Sequence, residues 1–251
     1  MKMCVNELAF RYNSAPVLEG VNFHLAPREL LAIMGPNGVG KTTLLKCMNG
    51  ILAPSCGAVM VGEANVRSLD SFEIARRFGY VAQKSEAGRI TVFDAVLMGR
   101  RPHIRWRVSE NDLKIVDAAI KRLNLEKLSL RYIDSMSGGE LQKVCIARAL
   151  VQEPDILLLD EPTSSLDLSN QIEIMNIIRR VVVEHDVSAV MTIHDINTAL
   201  RYCDKFLFLK GGRIFAACTQ DDVTPEIINE VYGVQVSLQR HEGAPFIIPL
   251  N

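Results

Sequence analysis

The sequence predicts an α/β fold: a parallel sheet with flanking helices, an antiparallel β region at its start and a helical insertion in its middle. Three observations predict it. Short, continuous apolar runs at Leu30–Met34, Ile156–Leu159 and Val187–Ile193 have the length and composition of buried strands. Segments of helical periodicity separate them, and strands alternating with helices argue for parallel pairing. Residues 84–135 carry few strand signals.

The elements follow in order. Val5, Leu8 and Phe10, then Val17, Leu18, Val21, Phe23 and Leu25, alternate as antiparallel strands do. Leu30–Met34 runs apolar into Gly35. From Leu44 the apolar residues recur at Cys47, Met48, Ile51 and Leu52, a helical spacing that Pro54 stops. Ala58–Val61 and Gly79–Ala82 read as short strands. Val92–Arg100 and Glu110–Leu123 read as helices joined by a basic, aromatic loop. Helix returns over Gly139–Leu150, and Ile174, Ile177, Ile178, Val181 and Val182 form another amphipathic stripe. A β-rich and helical tail closes the chain.

Composition narrows the class. The chain has 251 residues, 48% of them hydrophobic and 23% charged, which suits a globular protein with a sizeable core. Its net charge of -1 supplies no global attraction to nucleic acid or anionic lipid, so no nucleic-acid partner is expected. No apolar stretch approaches the ~18–20 residues of a membrane span, and the start lacks the apolar stretch of a signal peptide. The six cysteines (4, 47, 56, 145, 203 and 218) show no CxxC pairing and read as reduced core residues.

Two motifs carry the chemistry. Gly35-Pro36-Asn37-Gly38-Val39-Gly40-Lys41-Thr42 satisfies G-x-x-x-x-G-K-[ST]. Glycines let several backbone N–H groups converge on a phosphate, Lys41 reaches the β and γ oxygens, and the Thr42 hydroxyl can ligate Mg²⁺. The helix that follows adds its positive end. Such a pattern arises by chance in roughly one chain in a hundred of this length. The preceding apolar strand and following helix make this one a P-loop nucleotide site. Further on, Ile156–Leu159 leads into Asp160 and Glu161. Two acids at the carboxyl edge of a buried strand lie where α/β sheets bind ligands. Strand alternation points them to opposite sides, which gives them different tasks. Asp160 would hold Mg²⁺ and Glu161 would polarise the attacking water, the placement that phosphoryl transfer requires.

Around these motifs stand Ser137-Gly138-Gly139-Glu140, Ser164-Ser165-Leu166-Asp167, His194, Tyr12 and Gln83. Singly each is weak, since a lone histidine or Ser-Gly-Gly turn is usually structural. Their order and spacing over nearly the whole chain closely resemble the ATP-binding-cassette (ABC) ATPases. The resemblance implies one ABC ATPase domain over 1–251. Its core would comprise 1–83 and 136–251, with a helical subdomain at about 84–135 extending into the signature helix. It implies that Tyr12 stacks on adenine and that Gly35 to Thr43 bind the phosphates, Thr43 included. Gln83 would contact Mg²⁺ and the attacking water. Ser137, Gly138 and Gly139 would complete the site of an opposite subunit. Glu161 would be the catalytic base, His194 would contact the γ-phosphate, and Asp167 would link the two sites. Lys41, Gln83, Glu161, His194 and Asp167 are thus the implied catalytic set, and Thr42, Gln83 and Asp160 the metal set. The resemblance further implies ATP and Mg²⁺ as cofactors and a head-to-tail homodimer as the assembly. Met136 and Glu140 depart from the usual Leu and Gln of the signature, without removing its serine or glycines.

Further segments resemble the importers of iron–siderophore, haem and cobalamin: Leu97–His103, His194–Asn197 with Ala199 and Arg201–Asp204, and Val231–Val234. Zinc and manganese importers share parts of them. This likeness implies two membrane-spanning permease subunits, an indirectly coupled solute-binding protein, and a place on the cytoplasmic face of a prokaryotic membrane. A soluble ABC ATPase of iron–sulfur cluster assembly is the alternative. The basic cluster Arg89, Arg100, Arg101, Arg105 and Arg107, with Trp106, fits a solvated loop, a groove for a permease helix, or a nucleic-acid patch.

Overall fold

A computed structural model describes residues 3–83, 88–241 and 243–250. Its first sheet is antiparallel, in the order β2 (Ala15–Leu25), β1 (Met3–Tyr12), β4 (Cys56–Val61), β5 (Ala64–Asn65). The second has six strands: β10 (Arg213–Thr219), β9 (Lys205–Lys210), β3 (Leu30–Met34), β8 (Ser188–Thr192), β7 (Ile156–Asp160) and β6 (Phe78–Val81). Five of these run parallel and β10 pairs antiparallel at the edge. A hairpin of β11 (Val236–His241) and β12 (Ala244–Pro249) follows the last helix.

Strand alternation sorts the core into two layers. Leu31, Ile33, Ile156, Leu158, Val190, Leu207 and Leu209 face one cluster, shared with β1, β2, β4 and helix α1 (Lys41–Met48). Ala32, Met34, Leu157, Leu159, Ala189, Met191, Phe206 and Phe208 face the other. The second cluster is covered by α3 (Val92–Leu97), α4 (Glu110–Arg122), α5 (Gly138–Leu150), α6 (Leu168–Glu184), α7 (Ile196–Tyr202) and α8 (Pro225–Tyr232). Both faces of the parallel strands are therefore apolar, which is why they read as continuous runs rather than as alternation.

Several boundaries differ from the sequence reading. The helix expected to reach Arg100 is α-helical only to Leu97 and tightens into a 3-10 turn over Met98–Arg100. The strand expected to end at Leu159 includes Asp160. Helix α2 (Ser71–Arg77), helix α7 and strands β9 and β10 were not separately resolved by periodicity. They are short, or lie in the tail where signals overlap. Of the cysteines, Cys47, Cys145 and Cys203 are buried as core thiols should be, whereas Cys56 is exposed. The expected start of the helical insertion at 84 lies outside the described residues.

Candidate functional site

The helix starts point to the site. Among the described residues, seven of the eight α-helices begin with an Asp, Ser or Thr whose side chain accepts a first-turn N–H. Helix α1 alone begins without one: Gly40 occupies its N-cap in a left-handed conformation, φ 109°. Its first-turn donors have no side-chain acceptor, the condition for binding an anion there.

The loop before α1 is held from several directions. Gly35 has φ +143°, and a Cβ there would lie 2.5 Å from the Leu209 carbonyl oxygen on β9, so only glycine fits. Pro36, Asn37 and Gly38 are exposed, Val39 is half-buried, and Gly40, Lys41 and Thr43 are buried. Lys41 Nζ donates to the Gly35 carbonyl at 2.8 Å and the Pro36 carbonyl at 3.1 Å. Burial pulls the Lys41 ammonium below its ordinary pKa, while Glu161 and Asp160 oppose that pull. Loss of water strengthens the pull of the ammonium on a phosphate oxygen, and the two carboxylates offset part of that pull.

The acids meet this loop from β7. Asp160 is 2% exposed, and its Oδ1 accepts from Thr42 Oγ1 at 3.0 Å and Thr192 Oγ1 at 2.8 Å. Thr192 also accepts the Glu161 backbone N–H at 2.8 Å. Glu161 lies one residue beyond β7, with φ 49°. The two acids therefore diverge because the backbone turns left-handed after the strand, which corrects the expectation of simple strand alternation. Gln83 Nε2 donates to Glu161 Oε2 at 2.5 Å, and His194 Nε2 meets Glu161 Oε1. One carboxylate is thus held at both oxygens, by groups from the ends of β6 and β8. The turn after it is fixed by Ser164, whose N–H and hydroxyl both donate to the Glu161 carbonyl, at 3.1 and 3.0 Å.

The structure brings together Lys41, Thr42, Gln83, Asp160, Glu161 and His194. It does not join Ser137, Gly138 or Gly139 to them by any hydrogen bond among the described residues. Ser137 caps α5, where its N–H and hydroxyl each donate to Glu140 Oε2 at 2.8 Å. The Ser137 N–H first, and its hydroxyl second, hold Glu140 below the usual carboxylate range. Asp167 caps α6 and accepts from Asn170 N at 2.8 Å and Asn170 Nδ2 at 3.0 Å. Tyr12 ends β1 about half exposed, with its ring edge-on to Phe10 at 4.8 Å.

Two contributors escaped the sequence reading. Thr192, fully buried, ties Asp160 to the Glu161 backbone. A hydroxyl closing an apolar strand two residues before His194 was the available signal. Tyr232 accepts the Gly35 N–H. The basic cluster also divides. Arg100 is buried, with Nε 2.9 Å from Asp112 Oδ1 and Nη1 bonded to the Val151 carbonyl and Glu153. Arg101, Arg105, Arg107 and Trp106 are exposed. Arg100 is therefore an internal anchor, unavailable to a partner.

Known proteins resemble this chain in sequence and fold. The ABC transporter family profile matches residues 18–164. An uncharacterized ABC transporter ATP-binding protein of Methanocaldococcus jannaschii is 47% identical over 100% of this chain and 99% of its own. A hemin import ATP-binding protein of Gloeobacter violaceus is 39% identical over 94% of this chain and 89% of its own. Among solved structures, a metal-chelate type ABC transporter in an inward-facing conformation aligns with TM-score 0.86 and 29% identity, covering 99% of this chain and 97% of that one. A dimeric ATP-binding cassette in a post-hydrolysis state, bound to ADP and phosphate, aligns with TM-score 0.77 and 27% identity over 87% of this chain and 98% of its own.

Proposed function

This chain belongs to the ABC transporter family, as an ATP-binding subunit that hydrolyses ATP in transport, and from that premise we propose that it powers import of a metal chelate. The cargo would be an iron–siderophore complex, haem or cobalamin. Its likeness along nearly the whole chain to a hemin import subunit and to a metal-chelate type transporter supports that cargo class. The domain would be single, spanning 1–251, with 84–135 as its helical subdomain.

The observation that carries the hydrolytic chemistry is Glu161, bracketed by Gln83 and His194 beside the one helix start without a side-chain cap. The uncapped N–H groups of α1 and the Lys41 ammonium bind the β- and γ-phosphates. Thr42 and Asp160 offer adjacent oxygens of the kind Mg²⁺ prefers, and Asp160 has no ion pair among the described residues. The metal would neutralise charge on the phosphate oxygens. Glu161 orients the attacking water and takes its proton. Gln83 and His194 keep that carboxylate aimed, and His194, about half exposed at its side chain, turns toward the γ-phosphate when ATP enters. Tyr12 offers a ring face to the adenine.

Ser137, Gly138 and Gly139 lie at a second helix start, and we assign them to the nucleotide of a second copy, with Asp167 linking the two sites. The dimeric cassette with ADP and phosphate supports that assembly. No described helix is long and apolar enough to cross a membrane; the likeness to a hemin import ATP-binding protein and to a metal-chelate type transporter supports permease subunits as partners, contacted from the cytoplasmic face. A solute-binding protein would select the cargo.

The test is capture from solubilised membranes, with Glu161→Gln chain, ATP and Mg²⁺ as bait. Recovery of a polytopic membrane protein, whose binding protein then takes up a siderophore, haem or cobalamin, is the expected result. Recovery of soluble cluster-assembly proteins alone would overturn the import reading.

A further inference from the structure

The segment Val231–Val234 has no part in the scheme above, yet it reaches the phosphate loop. Tyr232 is the last residue of α8, and Gly233 caps that helix in the left-handed region, φ 71°. The Tyr232 hydroxyl accepts the Gly35 backbone N–H at 2.9 Å. Gly35 is the first residue of the loop, and its carbonyl in turn accepts the Lys41 ammonium at 2.8 Å. A Cβ at Gly35 would lie 2.5 Å from the Leu209 carbonyl of β9, so no side chain fits there. Gly35 is thus held at two points, Lys41 through its oxygen and Tyr232 through its nitrogen. Burial pushes the Tyr232 phenol up to about 12, so at neutral pH it stays a protonated hydroxyl.

We propose that Tyr232 is a positioning residue of the ATPase, through which the C-terminal helix holds the phosphate loop in its ATP-accepting form. The inference rests on ATP binding at this loop and not on the identity of the cargo. A buried N–H without an acceptor is costly, and the loop can relieve that cost by rotating Gly35 toward water. Rotation would move the carbonyl that seats Lys41. Only the fraction of molecules with the loop correctly set would then bind ATP, so apparent affinity would fall by that fraction.

The experiment compares Tyr232→Phe with Val231→Ala in steady-state ATPase assays and thermal melts of the full chain. Val231 is a buried neighbour on the same helix that does not touch the loop through any hydrogen bond among the described residues. Tyr232→Phe should raise KM for ATP about 3- to 10-fold, with the saturating rate within about twofold. Val231→Ala should lower the melting temperature and leave KM unchanged. An unchanged KM in Tyr232→Phe, or an equal rise in Val231→Ala, would overturn the proposal. If Tyr232→Phe does not fold, 3,5-difluorotyrosine at position 232, assayed at about pH 6 so that its more acidic phenol stays protonated, nearly keeps the shape and weakens the acceptor. KM should then rise by about twofold or more, and an unchanged KM would again overturn it.

Discussion

Glu161 reaches its place through a left-handed residue rather than through the strand it follows. Strain of this kind persists only where the surroundings over-determine it, and four neighbours do so here. Thr192 takes its N–H, Ser164 its carbonyl, and Gln83 with His194 its carboxylate. Replacing Glu161 by Gln should leave ATP binding intact and reduce turnover by about 100-fold or more, read by a phosphate-release assay beside a nucleotide-binding titration. Turnover near the parent's would remove Glu161 from the role of base. Thr192→Val keeps volume and deletes the hydroxyl that serves both acids. It should cost about 1–3 kcal/mol in urea unfolding and lower the saturating rate, while Thr192→Ser retains both. At this scale the sequence was informative about acids, lysine and glutamine, because their side chains have few other uses at such positions. It was silent on Thr192, because a threonine is an ordinary strand residue until its partners are seen.

Helices decide the site by how they begin. Seven caps close their own first turns, and the missing eighth marks the phosphate end. That contrast was not read from the residues, because glycine is itself a common N-cap type and its want of a side-chain acceptor tells only once the helix starts are placed. The segment 97–103 was no more legible. Its likeness to chelate importers spoke to the transport class, and the basic cluster that overlaps it allowed a groove for a permease helix, whereas much of the segment is spent on internal packing. A Cβ on Gly99 would lie 2.1 Å from the Arg148 carbonyl of α5, and His103 Nε2 bonds the Gln152 carbonyl at 2.8 Å. Gly99→Ala should therefore destabilise the protein by about 1–3 kcal/mol, measured by urea unfolding. Arg100 and Asp112 form a buried ion pair that pins the start of α4 to the end of α5. The Ser109 hydroxyl, then its N–H, then Arg100 hold the Asp112 carboxyl down to about 2, against an ordinary value of 3.8. A carboxylate depressed in the folded state adds stability above its unfolded pKa and loses it as pH falls through the folded one. Asp112→Asn should thus melt well below the parent at pH 7, and the gap should close between about pH 4 and pH 2. A gap that does not change with pH would contradict this account of α4.

Across the whole molecule, the six-stranded sheet separates two cores and gathers Lys41, Asp160, Glu161 and His194 at the carboxyl ends of its strands. The sheet's parallel core was readable because strands buried on both faces become apolar throughout. The edge strands β9 and β10 were not, because β10 is half exposed and the tail mixes strand and helix signals. The start of α5 is closed within the chain by the Ser137 side chain, whose one partner among the described residues is Glu140. If that start completes the site of another copy, Ser137→Arg should bind ATP within about twofold of the parent and lose hydrolysis by about tenfold or more. The most direct test is the mass of the Glu161→Gln chain in sedimentation, with saturating ATP and then with ADP. A dimer held by ATP and released with ADP requires a differential affinity of the paired form for the two nucleotides. The account predicts a dimer with ATP and a monomer of 27.9 kDa with ADP. A chain that stays monomeric at saturating ATP would contradict it.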